Sequence, residues 1–225
     1  MKQMSCVTAV LVLTAFTAGL VDVLSFAKLG GIFTSAMTGN LALLGFYAAT
    51  GAVHSAIKSL SALMSFVMGC VLGLIQSRGK TDRSAVRRIL AIETLIIATC
   101  AIGSMQSSLS VRSDFVLAEI VLFAFAMGLQ SIVGARLKQT NVVFTTTLIK
   151  IVSAAIGSTR EETSAGERHR DTAVVVAYLL GALTAGVTVA THFAAALMIP
   201  AIAIGTAFLC ARGVEWPALG LRGPK

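Results

Sequence analysis

Long apolar runs alternating with short polar joints dominate this chain. Eight runs can be drawn, at 7–27, 31–51, 59–77, 89–107, 115–135, 141–157, 173–191 and 194–212. Six are plain and predict helices near the roughly 20 apolar residues that a bilayer crossing needs. The second and sixth are interrupted. GIFTSAMTGNLALLGFYAATG carries Thr34, Ser35, Thr38, Gly39 and Asn40 in one stretch. NVVFTTTLIKIVSAAIG opens on Asn141 and holds Thr145, Thr146, Thr147 and Lys150.

The two interrupted runs sit at matching places in a repeated pattern. Residues 16–40 read FTAGLVDVLSFAKLGGIFTSAMTGN and residues 125–147 read FAMGLQSIVGARLKQTNVVFTTT. Gly19 and Gly128 are 109 residues apart, and Phe33 and Phe144 are 111 apart. The pattern reads as two diverged copies of one unit within a single membrane domain, repeat one at 7–107 and repeat two at 115–212. Hydroxyl- and glycine-rich breaks at corresponding positions of two halves are the sequence pointer to a transport site.

Basic residues test which runs cross. If all eight cross, the two faces receive nine and eight Lys and Arg residues, with no bias. If runs two and six dip in without crossing, one face holds fourteen and the other only Lys28, Lys58 and Arg112. Cytoplasmic loops carry the excess of Lys and Arg, so the second arrangement puts both termini in the cytoplasm. A seven-crossing variant, in which only run six dips, gives the same count of fourteen against three with the N-terminus outside. Six crossings treat the two related runs alike. With three crossings per repeat, the second unit enters the bilayer inverted relative to the first. The segment 78–88 then reads as a basic cytoplasmic loop, 108–114 as an outer loop, and 158–172 as a mixed-charge cytoplasmic loop that is mobile.

Composition narrows the class. The chain of 225 residues is 56% apolar and 12% charged, with a mean hydropathy of +0.87. A soluble domain carries about 25% charged residues. The net charge of +8 lies in joints between apolar runs, as topology signals do, and no aromatic-basic surface points to nucleic acid. Cys6, Cys70, Cys100 and Cys210 are far apart and read as small hydrophobes in helices. The start of the chain has the basic and apolar regions of a signal peptide. Its apolar run continues to Phe26 and carries the first copy of the motif, so it is read as a retained helix. There is no HExxH, GxSxG, Walker loop or Rossmann fingerprint, so no enzyme and no cofactor are expected.

Asp22 leads the candidate pathway residues. A charge at membrane depth costs roughly 2.5–3.5 kcal/mol on insertion scales and usually faces a cavity or a partner. The other reading anchors Asp22 at the outer interface near Lys28. Thr34, Ser35, Thr38, Gly39 and Asn40 either line a pathway or re-satisfy backbone freed by a helix break, and Gly30, Gly31 and Gly39 permit the tight conformations of such a break. Thr145 and Thr146 occupy the matching place in repeat two. Lys150 supplies charge to an anion or snorkels to the cytoplasmic interface. Gln130 and Ser131 align with Val21 and Asp22, which would let them face Asp22 across a pseudo-two-fold axis. Glu93 is expected to pair locally with Arg87 and Arg88, and Glu119 to lie near Arg112 and Asp114. His54 and His192 read as interfacial, as do Tyr47, Tyr178 and Trp216. Gly69-x-x-x-Gly73 and Ala201-x-x-x-Gly205 suit close helix packing and leave room for a homo-oligomer.

Three segments, Ala18-Gly19-Leu20-Val21-Asp22, Leu29-Gly30-Gly31-Ile32-Phe33 and Met37-Thr38-Gly39-Asn40, together resemble the signature of the YoaK family, bacterial membrane proteins grouped by a domain of unknown function. The resemblance covers nearly the whole chain and extends to Gly128-Leu129-Gln130. Ser131 stands where that family often has Asn, and Ile149-Lys150 where it commonly has Thr-Gly. The resemblance implies a multi-pass membrane protein.

The expectation is therefore an all-α polytopic transmembrane helical bundle of the bacterial inner membrane, with about six crossings and two broken or re-entrant segments. Its partners are the lipid bilayer and a small solute or ion, with no nucleic acid. The leading role is a small secondary transporter or permease, and the rival is a non-transporting accessory or structural membrane protein. Tags inserted at Lys138 and Arg160 should report the same side of the membrane in accessibility assays. Opposite sides would sink the dipping assignment of run six.

Overall fold

The structure is a computed structural model, and it describes residues 2–104, 113–137, 152, 165–191 and 196–212. Seven helices are described: α1 (Lys2–Lys28), α2 (Met37–Ala49), α3 (Val53–Ser77), α4 (Asp82–Ser104), α5 (Ser113–Arg136), α6 (Ala165–Thr191) and α7 (Met198–Arg212). No strand occurs among the described residues. Four helices contain stretches long and apolar enough to cross a membrane: Cys6–Lys28, Val53–Ser77, Phe115–Arg136 and His169–Val189. Helix α4 starts on Asp82, Arg83, Arg87 and Arg88, which dilutes its apolar character, and α7 is 15 residues long.

The outer faces of α3 and α6 explain this composition. Leu60, Met64, Val67, Val71 and Leu74 on α3 are exposed, as are Leu179, Leu183 and Val187 on α6. A soluble monomer rarely exposes so continuous an apolar band. Acyl chains cover it at no cost, and with this band the bundle is a multi-pass membrane protein.

Helix pairing joins the two ends of the chain. α1 packs on α6 and α7, α3 packs on α5 and α2, and α4 packs on α5 and α7, while α1 also touches α5. Helices α1, α5, α4 and α7 thus close a ring, flanked by α6 beside α1 and α3 beside α5. The two tightest crossings run over glycine. A Cβ on Gly19 would overlap the Tyr178 carbonyl, and one on Gly181 would overlap the Phe16 carbonyl. Gly69 and Gly128 meet the Phe125 and Phe66 carbonyls in the same reciprocal way. Without an apolar driving force between helices in lipid, such close backbone approach supplies the dispersion contact that holds them. The Gly69-x-x-x-Gly73 pair does pack inside the bundle, with Gly73 against Ile132.

Several loop expectations change. The basic segment 78–88 is mostly helix: the turn ends at Thr81 and α4 begins at Asp82. Arg136 closes this corner, donating to Asp82 Oδ1 at 3.0 Å and the Ser77 carbonyl at 2.9 Å. The mixed-charge segment 158–172 is helical from Ala165 onward, where its charges decorate the first turns of α6. The 108–114 loop lies largely outside the described residues, as do His192 and Trp216.

Gly19→Ala and Gly181→Ala should each destabilise the detergent-solubilised protein by about 1–3 kcal/mol, the usual range for forced overpacking. Gly186→Ala, with open space around it, should be neutral or slightly stabilising through helix propensity. Thermal unfolding of the three variants makes the comparison, and an unaffected Gly19→Ala would mean the α1–α6 crossing is wider than described.

Candidate functional site

The interruption expected in run two is real. α1 ends at Lys28, residues 29–36 are non-helical, and α2 begins at Met37. Gly30 and Gly31 make the reversal with φ of 94° and 76°, a region that side chains with Cβ disfavour. The chain then doubles back along α1, where Phe33 stacks on Phe26 with ring centroids 4.9 Å apart. It reaches Asp22, six residues or about 9 Å before the end of α1. From there α2, 13 residues and about 20 Å long, leads back to a tight turn at Gly51 and into α3.

Backbone groups freed from a helix and packed against the bundle need partners, and two side chains supply them. The Asp22 carboxylate, 1% exposed, accepts from the Thr34 N–H at 2.8 Å and the Ser35 N–H at 2.7 Å. It also accepts from the Thr34 hydroxyl at 3.2 Å and the Ser35 hydroxyl at 2.5 Å. Asn40, fully buried, takes the Phe33 N–H on Oδ1 at 3.0 Å and returns its Nδ2 to the Phe33 carbonyl at 2.5 Å. Three successive amides, 33 to 35, are thereby satisfied in the absence of a helix.

A fifth donor comes from the other end of the chain. Tyr178 on α6 donates its hydroxyl to Asp22 Oδ2 at 2.9 Å. Five donors on one carboxylate fill essentially all of its lone-pair sites. The expected interfacial role of Tyr178 is corrected here: its phenol reaches inward because Gly19 lets α6 settle against α1 one turn away. A tyrosine amid an apolar helix gave no sequence signal of a partner 156 positions earlier.

The remaining candidates divide. Thr34, Ser35 and Asn40 join Asp22 in one cluster. Gly39 lies in α2, and its missing side chain makes room for the Phe33 ring. Thr38 is exposed on α2, away from the cluster. Gln130 donates Nε2 to the Thr14 carbonyl at 3.0 Å, and Ser131 donates to the Met127 carbonyl of its own helix at 2.9 Å. Neither faces Asp22, because Thr14 lies two turns below it on α1. Thr145, Thr146, Thr147 and Lys150 lie outside the described residues.

Glu93 departs from expectation, and the Arg112 expected beside Glu119 lies outside the described residues. Glu93 makes no ion pair with Arg87 or Arg88, which are exposed, while its own side chain is fully buried with neither oxygen hydrogen-bonded. Glu119 turns inward and meets the Ser104 hydroxyl of α4. Among the described residues no group of three or more His, Cys, Asp or Glu could hold a metal ion.

Comparison with known proteins agrees with this architecture. The profile of the family described as "Protein of unknown function (DUF1275)" matches residues 10–210. The Bacillus subtilis (strain 168) protein named UPF0700 transmembrane protein YoaK is 30% identical over 184 residues, covering 76% of this chain and 79% of that protein. No solved structure matches. The helical bundle, its apolar outer band and the length of these matches lead to one conclusion: the chain belongs to the DUF1275 family of membrane proteins, together with YoaK.

Proposed function

We propose that this protein is a small secondary transporter of the bacterial inner membrane, in which Asp22 binds a proton or cation and thereby controls the broken segment. The observation that carries this reading is the convergence of five donors from the broken segment and α6 on one buried acid. A proton or cation arriving at Asp22 competes with those donors for the same oxygens. Hydrogen bonds to a charged group contribute about 1.5–3 kcal/mol each, so losing two or three frees residues 33–36 from α1. The pathway then opens between the break, α1 and α6, lined by Thr34, Ser35 and Asn40.

The inverted-repeat plan fits the same reading. Reciprocal glycine crossings join α1 to α6 and α3 to α5, as two related units sharing a two-fold axis would pack. Thr145, Thr146 and Lys150 would then form the counterpart break, entered from the cytoplasm, with six crossings and both termini cytoplasmic. One observation favours the rival role as a non-transporting accessory or structural protein: the amides of residues 33–35 and the hydroxyls of Thr34 and Ser35 are all satisfied internally, which suits a static clamp equally well.

Accessibility separates the two. In a background without native cysteines, Ala36→Cys should react with a water-soluble thiol reagent applied from outside. Adding Asp22→Asn should raise the rate about tenfold or more, the equivalent of one lost charged hydrogen bond. A cysteine at 36 that stays unreactive in both backgrounds would eliminate the pathway and leave the clamp. Uptake by proteoliposomes that disappears in Asp22→Asn and survives in Thr38→Ala is the matching functional result.

A further inference from the structure

A second acid lies in the core, and the Asp22 cluster does not use it. Glu93 is 0% exposed on the inner face of α4, and neither carboxyl oxygen meets a donor. Gln130 is 3% exposed, and while its Nε2 reaches Thr14, its Oε1 is equally without a donor. Three buried acceptor oxygens are therefore unmatched.

Register puts them at one level. Along the antiparallel α4–α5 pair, Asp82 meets Arg136 at one end and Ser104 meets Glu119 at the other. Glu93 is eleven residues from both Asp82 and Ser104, so it stands opposite residues 125–130 of α5. Gln130 falls in that window. Its partner Thr14 is close to the midpoint of α1. The unmatched oxygens thus share the middle of the ring formed by α1, α5, α4 and α7.

A buried carboxyl without a partner is among the most costly arrangements in a protein, and such groups are ordinarily paired or neutralised. The described chain brings no cation to this level. From α5, Arg136 is committed to Asp82 and Ser77 at the far end, and Glu119 to Ser104 at the other. From α7, Arg212 and Cys210 lie in the last turn. From α3, His54 and Lys58 lie in the first two turns, and Cys70 turns to the Gly128 carbonyl. On α4 itself Arg87 and Arg88 point outward, and Cys100 is two turns away. Asp22 on α1 is eight residues, about 12 Å, from Thr14.

We propose that Glu93 and the Gln130 amide oxygen hold a small inorganic cation, a proton or an alkali ion, at the centre of the bundle. The site stands whether or not the chain carries a solute. A ligand that binds only the folded state raises its stability with concentration, which gives a test independent of transport. Thermal unfolding of the detergent-solubilised wild type, Glu93→Gln and Thr38→Ala is followed in two series. One exchanges choline chloride for sodium or potassium chloride at fixed pH, and the other varies pH at fixed salt. The unfolding temperature of the wild type should respond in one series, Glu93→Gln should flatten that response, and Thr38→Ala, at an exposed position of α2, should keep it. A flattened salt response identifies an alkali ion, and a flattened pH response with no salt response identifies a proton. If Glu93→Gln does not fold, Gln130→Met takes its place and should move the half-effective cation concentration several-fold. Wild type and variant behaving alike in both series overturns the proposal.

Discussion

A peptide group that leaves a helix within an apolar bundle still needs a hydrogen-bond partner, and this structure is organised around meeting that demand at residues 33–35. Asp22 and Asn40 do so with side chains that imitate a helix's missing backbone partners. The consequence runs outward from there. Gly30 and Gly31 exist to aim the chain back at Asp22. Phe33 is clamped at its own peptide and stacked on Phe26. Gly39 yields space to that ring. Tyr178 closes the cluster only because the α1–α6 crossing is narrow enough for its phenol to reach.

Much of this was legible in the residues. Hydroxyls, glycines and an amide inside an apolar run contradict a plain crossing, because each favours conformations that a lipid-facing helix excludes. Asp22 stood out since an acid in apolar sequence needs a reason. Gly69 and Gly73 signalled packing by their spacing. What could not be read was long-range pairing. Tyr178 looks like any membrane-interface tyrosine until α6 is laid against α1. Glu93 follows two arginines in sequence and seemed paired with them. Helical geometry defeats that: Arg87 and Arg88 project from the opposite side of α4, while Glu93 continues the inward stripe of Val86, Ile89, Leu90 and Ile97.

Two of the buried acids, Asp22 and Glu93, divide the interior chemically. Asp22 is saturated with donors and sits where the fold departs from helix. Glu93 has none and sits where the helices are regular. One is held by the chain's own geometry, and the other asks for something the described residues do not supply. A chain of 225 residues that desolvates both carboxyl groups retains little margin for substitutions that disturb either.

The glycine crossings carry a consequence for biogenesis. The α1–α6 crossing joins the first helix of the chain to one more than 130 residues later, whereas α3 and α5 are close in sequence. Synthesis delivers α1 and its acid into the bilayer well before Tyr178 and Gly181 emerge from the ribosome. Until then the groove over Gly19 lacks the helix that fills it. Completion of the chain is thus the step that locks the first helix in place.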